Sequence, residues 1–354
     1  MTEAKTRKSN IEVLRLLAAI GVILLHYNNH DIGGRFKYVT KGTINEQFLI
    51  FIESLFICSV NVFVLITGYF LCRKSRVSLW KPIELLAEVS VINAGIYVAK
   101  AILLHSHFSL KELFIKLLPM NYFAIFYSVI YAFAPFTNQL LNKNKKESRD
   151  ALMWLIIILF SFIPTLLTYI EHFLEINLGG MSTVGVNNIQ TGYTVVHFLQ
   201  MYCIGAYLKI NKEKTDKINT GVILFLFLLS VLMIHITTGI YSTAARSYCN
   251  PLVIMEAATA FLLFDRMNIK YSKLLNSVAK TSFTVYLLHL NFLPHMKVSR
   301  FVNKPLYILI AHMIGCVFIC LAISYICHYI YSYFAEIVFK VLRERITLDV
   351  YAEE

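Results

Sequence analysis

The residues best suited to chemistry lie in the first apolar segment, between Asn10 and Tyr27. Glu12, Arg15 and His26 are ionisable, and a charged side chain at mid-bilayer costs about 2.5–3.5 kcal/mol on insertion scales. Each therefore needs a reason to be there. Arg15 and His26 are eleven residues apart. On an α-helix that spacing makes three turns and lands within about 20° of the same face. Glu12 stands three residues before Arg15, also on that face. One helical stripe thus carries a carboxylate, a guanidinium and an imidazole. His26 lies about 16 Å along the axis from Arg15, so the two serve different depths. Imidazole titrates nearest neutrality among side chains, which suits it to accept a proton from a hydroxyl. The same stripe also fits a structural ion pair, Glu12 with Arg15, plus a polar residue at a helix end.

The elements that must position this stripe follow from composition. Hydrophobic residues make up 57% of the chain and charged residues 15%, against about 25% charged in soluble domains. A spanning helix needs about 20 mainly apolar residues. Ten candidates occur, at 10–28, 48–71, 80–104, 121–141, 151–170, 192–209, 220–240, 250–265, 274–293 and 305–335. Residues 109–118 read as a short interfacial helix. The expected fold is all-α: a polytopic membrane helix bundle of about ten transmembrane helices, one domain over residues 1–354. Basic residues concentrate in alternate loops, at Lys5/Arg7/Lys8, Arg73/Lys74/Arg76/Lys81, Lys143/Lys145/Lys146/Arg149 and Lys209/Lys212/Lys214/Lys217. Arg266/Lys270/Lys273 and Lys340/Arg343/Arg345 continue the pattern. This bias places both termini in the cytoplasm of a multi-pass protein of the plasma membrane. Arg15 interrupts the first apolar run and no small-residue cleavage site follows, so the run reads as an uncleaved span.

Several classes are excluded. The net charge of +12 sits in short loops between apolar segments, which argues against a nucleic-acid partner. Seven cysteines form no CxxC, and no His/Cys/Asp/Glu cluster has metal-ligand spacing. There is no Gly-rich phosphate loop and no Gly-x-Ser-x-Gly elbow. No internal repeat appears, which weakens a transporter of repeated halves. His235, His312 and His328 are isolated on apolar segments and read as structural. Asn61, Glu53, Asn93 and Glu256 read as packing polar groups or cavity lining.

The motifs taken in order resemble the membrane-bound acyltransferase 3 family. Arg15, ten residues, then His26 is similar to that family's first-span signature, with Glu12 at the acidic position where Asp is more usual. Val62 to Leu71, with Thr67-Gly68-Tyr69, resembles its apolar run ending in Ser-Gly-Tyr. Arg73-Lys74-Ser75-Arg76 matches its Arg-x-x-Arg. Tyr122 to Pro135 resembles its fourth span, with Phe123 where Trp is common. Tyr202 to Leu208 is similar to its sixth, and Thr281 to His289 to its Tyr-x-x-His span.

The resemblance implies O-acyl transfer, usually of acetyl from acetyl-CoA, to a hydroxyl of an extracytoplasmic or lipid-linked polysaccharide. It implies no permanently bound cofactor. His26 is then the expected general base, with Arg15 and Glu12 completing the catalytic stripe. Arg73 and Arg76 are expected to hold the phosphates of acyl-CoA by charge-assisted hydrogen bonds, with Arg15 deeper along the donor. Topological anchoring is the other reading of Arg73 and Arg76. Tyr286 and His289 share a face at i,i+3; Tyr193, His197 and Gln200 share another. Tyr286, His289, His197 and Tyr193 are the expected acceptor-binding residues; packing inside the bundle is the alternative for each. Outside the family reading, a transporter of glycans or other polar solutes would also need intramembrane polar groups. A membrane glycosyltransferase usually needs paired acidic residues in the first outer loop, which Asp31 and Glu46 do not form. Acceptor sugar, acyl group and oligomeric state are not written in the sequence.

Overall fold

A computed structural model describes residues 8–103, 105, 107–178 and 192–352. Lys5 and Arg7 lie outside them. The described chain is almost wholly helical. In order the helices are α1 (Ser9–Asn28), α2 (Ile44–Phe56), α3 (Ser59–Leu71), α4 (Trp80–Leu103), α5 (Leu110–Lys116) and α6 (Tyr122–Lys143). Then come α7 (Lys146–Ile157) and α8 (Ile163–Leu174), joined without a break through a π-helical turn. The rest are α9 (Val195–Ile210), α10 (Lys212–Lys217), α11 (Thr220–Ile240), α12 (Ser242–Ala245), α13 (Pro251–Arg266), α14 (Lys273–Lys280), α15 (Ser282–Phe292) and α16 (Leu306–Arg345). Several starts are marked by side-chain caps that satisfy otherwise orphaned N–H groups. Asn121 accepts from Ala124 N, Thr194 from His197 N, and Asn250 from Leu252 N ahead of Pro251.

Among the described residues seven helices are long and apolar enough to cross a membrane, counting α2 with α3 and α7 with α8 as continuous rods. The other expected spans are shorter. α9 and α13 have 16 residues each, and the segment 274–293 is split at Thr281 into α14 and α15. The expected interfacial helix is α5. The last expected span runs to 40 residues as α16.

Both ends of the described chain lie at one end of the bundle. Lys8 pairs with Asp265 at 3.7 Å, and Asn10 Nδ2 donates to Phe264 O at 2.8 Å. A two-stranded antiparallel ribbon joins β1 (Arg76–Ser78) to β2 (Asp349–Tyr351). Trp80 Nε1 donates to Ile346 O beside it, at 2.9 Å. Asp265 links the two regions by accepting from Tyr69.

The centre is α1, packed against α2, α3, α13, α14, α15 and α16. α3 and α9 make the closest helix pair, and the cause is glycine. A Cβ at Gly68 would collide with the Tyr202 carbonyl, and one at Gly205 with the Leu65 carbonyl. Without side chains there the backbones meet directly, as small residues allow in membrane bundles.

Candidate active site

The α1 stripe is formed as its spacing requires. Arg15 Nη1 donates to Glu12 Oε1 at 2.9 Å, and Glu12 is buried. His26 lies near the far end of α1. Its Nδ1 is 2.9 Å from Val22 O. A carbonyl oxygen only accepts, so Nδ1 carries the proton and Nε2 keeps its lone pair. In the neutral ring, the basic nitrogen of His26 is thus the one not tied to its own helix.

Two cavities surround this helix. The outer one, about 580 Å³, lies away from the termini. His26, His30, Glu53, Arg246 and the rings of Tyr122, Tyr193, Tyr248 and Tyr286 line it. The inner one, about 250 Å³, is lined by Arg15, Lys81, Lys280, Thr67, Phe123 and Tyr127. Val22, Val60 and Tyr286 belong to both linings. These three side chains stand at the partition between the cavities, and Val22 is also the residue whose carbonyl orients His26.

Other expected residues fall in three groups. His289 meets His26 directly, with ring centroids 4.6 Å apart and planes at 64°. Its Nδ1 donates to Val285 O at 3.1 Å, while its buried Nε2 has no hydrogen-bond partner among the described residues. Tyr286 stands between the cavities, and Tyr193 lines the outer one. His197 is fully buried and lines neither cavity; Nδ1 meets Gln200 Oε1 at 3.1 Å and Nε2 meets Asn61 Oδ1 at 2.9 Å. Its bonds go into packing α9 on α3. Arg73 and Arg76 also line neither cavity. Arg76 pairs with Asp349 across the ribbon, and Arg73 is exposed at the same end.

The structure adds Lys81, Lys280 and Arg246, which the sequence reading leaves without a site role, and it places Glu53, read as packing or cavity lining, on the outer cavity. Lys81 comes from the start of α4 and Lys280 from the end of α14, and both reach the cavity of Arg15. Lys280 carries a legible signal, a cation within an apolar segment. Glu53 is buried and bridges two guanidiniums, Arg35 Nη1 at 2.8 Å and Arg246. Burial lowers the Arg246 pKa from its ordinary value, and its contact with Glu53 acts the other way. Two isolated histidines also find partners. His312 Nε2 donates to Met296 O at 2.9 Å, which leaves Nδ1 to accept from Tyr27 Oη at 2.9 Å. His328 Nδ1 lies 2.9 Å from Thr284 Oγ1. No group of three His, Cys, Asp or Glu residues suited to a metal occurs among the described residues.

The family model described as an acyltransferase domain, of the acyltransferase 3 type, matches residues 8–329. That range includes every residue of both cavities. No curated protein and no solved structure matches the chain.

Proposed function

Because this chain belongs to the acyltransferase 3 family, we propose that it moves an acetyl group from cytoplasmic acetyl-CoA to a hydroxyl of an extracytoplasmic or lipid-linked polysaccharide. It works as a single domain of about ten spans in the plasma membrane, with both termini cytoplasmic. The donor enters from the terminal end. Its phosphates meet Arg15, Lys81 and Lys280, and the exposed Arg73 and Arg76 draw the polyanion toward that end. The pantetheine arm passes the partition of Val22, Val60 and Tyr286 and presents the thioester to His26. The acceptor hydroxyl enters the outer cavity and gives its proton to His26 Nε2 as its oxygen attacks the thioester carbon. The C–S bond then breaks, and the leaving thiolate takes the proton from the His26 imidazolium. Glu12 holds Arg15 in place, and His289 packs against the base.

The observation that carries this reading is the pair of cavities on one helix. A histidine whose Nε2 has no hydrogen-bond partner among the described residues lines one, three cations line the other, and three side chains line both. The test is transfer of radiolabelled acetyl from acetyl-CoA to surface polysaccharide by the protein in nanodiscs. We expect transfer by the native chain and none by His26→Gln of equal thermal stability. Equal transfer by both would remove His26 from the mechanism.

A further inference from the structure

We propose that the acceptor bound in the outer cavity is anionic, bearing a carboxylate or a phosphate, and that Arg246 binds this group. The inference rests on the acyl-transfer reading and names the class of its second substrate.

The argument begins with the charge around Glu53. This single buried carboxylate faces two guanidiniums, those of Arg35 and Arg246. The ring of Phe36 lies against both, 5.0 Å from Arg35 and 4.5 Å from Arg246. Glu53 and Phe36 together hold two like charges side by side, with one positive charge left over. The Arg35 and Arg246 side chains are only 11% and 16% exposed, so water screens that charge poorly. Among the described residues no other acidic side chain lines the cavity; Asp31, close enough to act on His26, is exposed outside it. The residues 179–191 contain no acidic side chain in their sequence.

Arg246 is the member of the pair that reaches the cavity wall. Its Nε donates to Ser242 O at 3.1 Å and its Nη1 to Glu53. Nη2 has no hydrogen-bond partner among the described residues. A purely structural tie would need one guanidinium for one carboxylate, and the second would carry an uncompensated desolvation cost. An anionic ligand removes that cost and gains charge-assisted hydrogen bonds. The rest of the wall suits a sugar. Tyr193 and Tyr248 lie ring to ring at 4.5 Å, and Tyr122 stands 5.6 Å from Tyr193. Flat aromatic faces take the C–H face of a pyranose, and their hydroxyls can bond its oxygens.

The experiment uses the full chain in nanodiscs of neutral lipid with acetyl-CoA as donor. Three oligosaccharides are compared: one with a uronate, the same with the uronate reduced to its neutral sugar, and the same with a phosphate ester instead. We expect an acidic acceptor to have a KM about ten-fold or more below the neutral one. Whichever of the uronate and phosphate has the lower KM identifies the source of the charge. Arg246→Gln should raise the acidic KM about ten-fold more than the neutral KM, and Arg246→Lys should restore part of the difference. Equal KM values for acidic and neutral acceptors with the native chain would overturn the proposal. So would an Arg246→Gln effect of the same size on both. Transfer to none of the three by protein that binds acetyl-CoA would overturn the acyl-transfer reading itself, and this proposal with it.

Discussion

The His26 and His289 rings touch edge to face, 4.6 Å between centroids, and each donates its Nδ1 proton to the carbonyl four residues earlier on its own helix. The two imidazoles are therefore alike in tautomer, each with its lone pair on Nε2. In the proposed reaction His26 becomes an imidazolium, and the His289 lone pair is then a neighbouring base that could share its proton. His289→Phe keeps the ring and removes that nitrogen. We expect kcat to fall about ten-fold or more with the donor KM unchanged, a smaller loss than for His26→Gln, where a general base worth about 10²–10⁴-fold is removed. Steady-state kinetics in nanodiscs checks both.

In the proposed reaction the donor meets two sets of basic residues. Lys81→Ala with Lys280→Ala should raise the acetyl-CoA KM about ten- to hundred-fold, since hydrogen bonds to charged groups contribute about 1.5–3 kcal/mol. Arg73→Ala with Arg76→Ala should act mainly on association, with an effect that shrinks as salt is added. Stopped-flow binding of acetyl-CoA at two ionic strengths separates the cases. Loss of affinity at high salt in the Arg73/Arg76 variant would place the phosphates on those residues instead.

Arg76 has a second role that can be isolated. Its partner Asp349 is 273 residues away in sequence and closes the ribbon. The Arg76 side chain is 63% exposed, and exposed pairs contribute about 0–1 kcal/mol. Asp349→Ala should therefore lower the melting temperature only slightly and leave the acetyl-CoA KM as it is. A large rise in that KM would show the ribbon itself shaping the donor entrance.

The glycine contact between α3 and α9 predicts a sharp contrast. Gly68→Ala and Gly205→Ala force backbone apart, and overpacking costs about 1–3 kcal/mol. Gly95→Ala on α4 meets no atom within 4 Å and should be neutral or slightly stabilising. Melting temperatures in detergent should fall for the first two only.

What was legible in the sequence was what helix periodicity carries. Glu12, Arg15 and His26 lie within one helix, so 3.6 residues per turn suffices to align them. Tyr286 with His289 is legible for the same reason, although not that His289 would touch His26, since α1 and α15 come together only through packing. That Lys81 and Lys280 share a cavity with Arg15, and that Glu53 bridges two arginines, were out of reach on the same ground. Lys81 and Lys280 come from α4 and α14, and Arg35 and Arg246 from segments more than two hundred residues apart. His197 shows the converse: its face is polar, as spacing implies, yet Asn61 on α3 takes up its second nitrogen. The short helices α9 and α13 are continuous apolar runs in sequence, and only packing shows where each begins and ends.

The thinness of the partition has a price for the cell. If a thioester arm reaches His26 as proposed, its emptied route is open to protons and small ions as well. Trimming Val22, Val60 and Tyr286 together would join the two cavities around Arg15 and His26 into one conduit. On this view the three side chains act as a valve seat, and the bulk at these positions guards the membrane's electrochemical gradient as much as it serves the reaction.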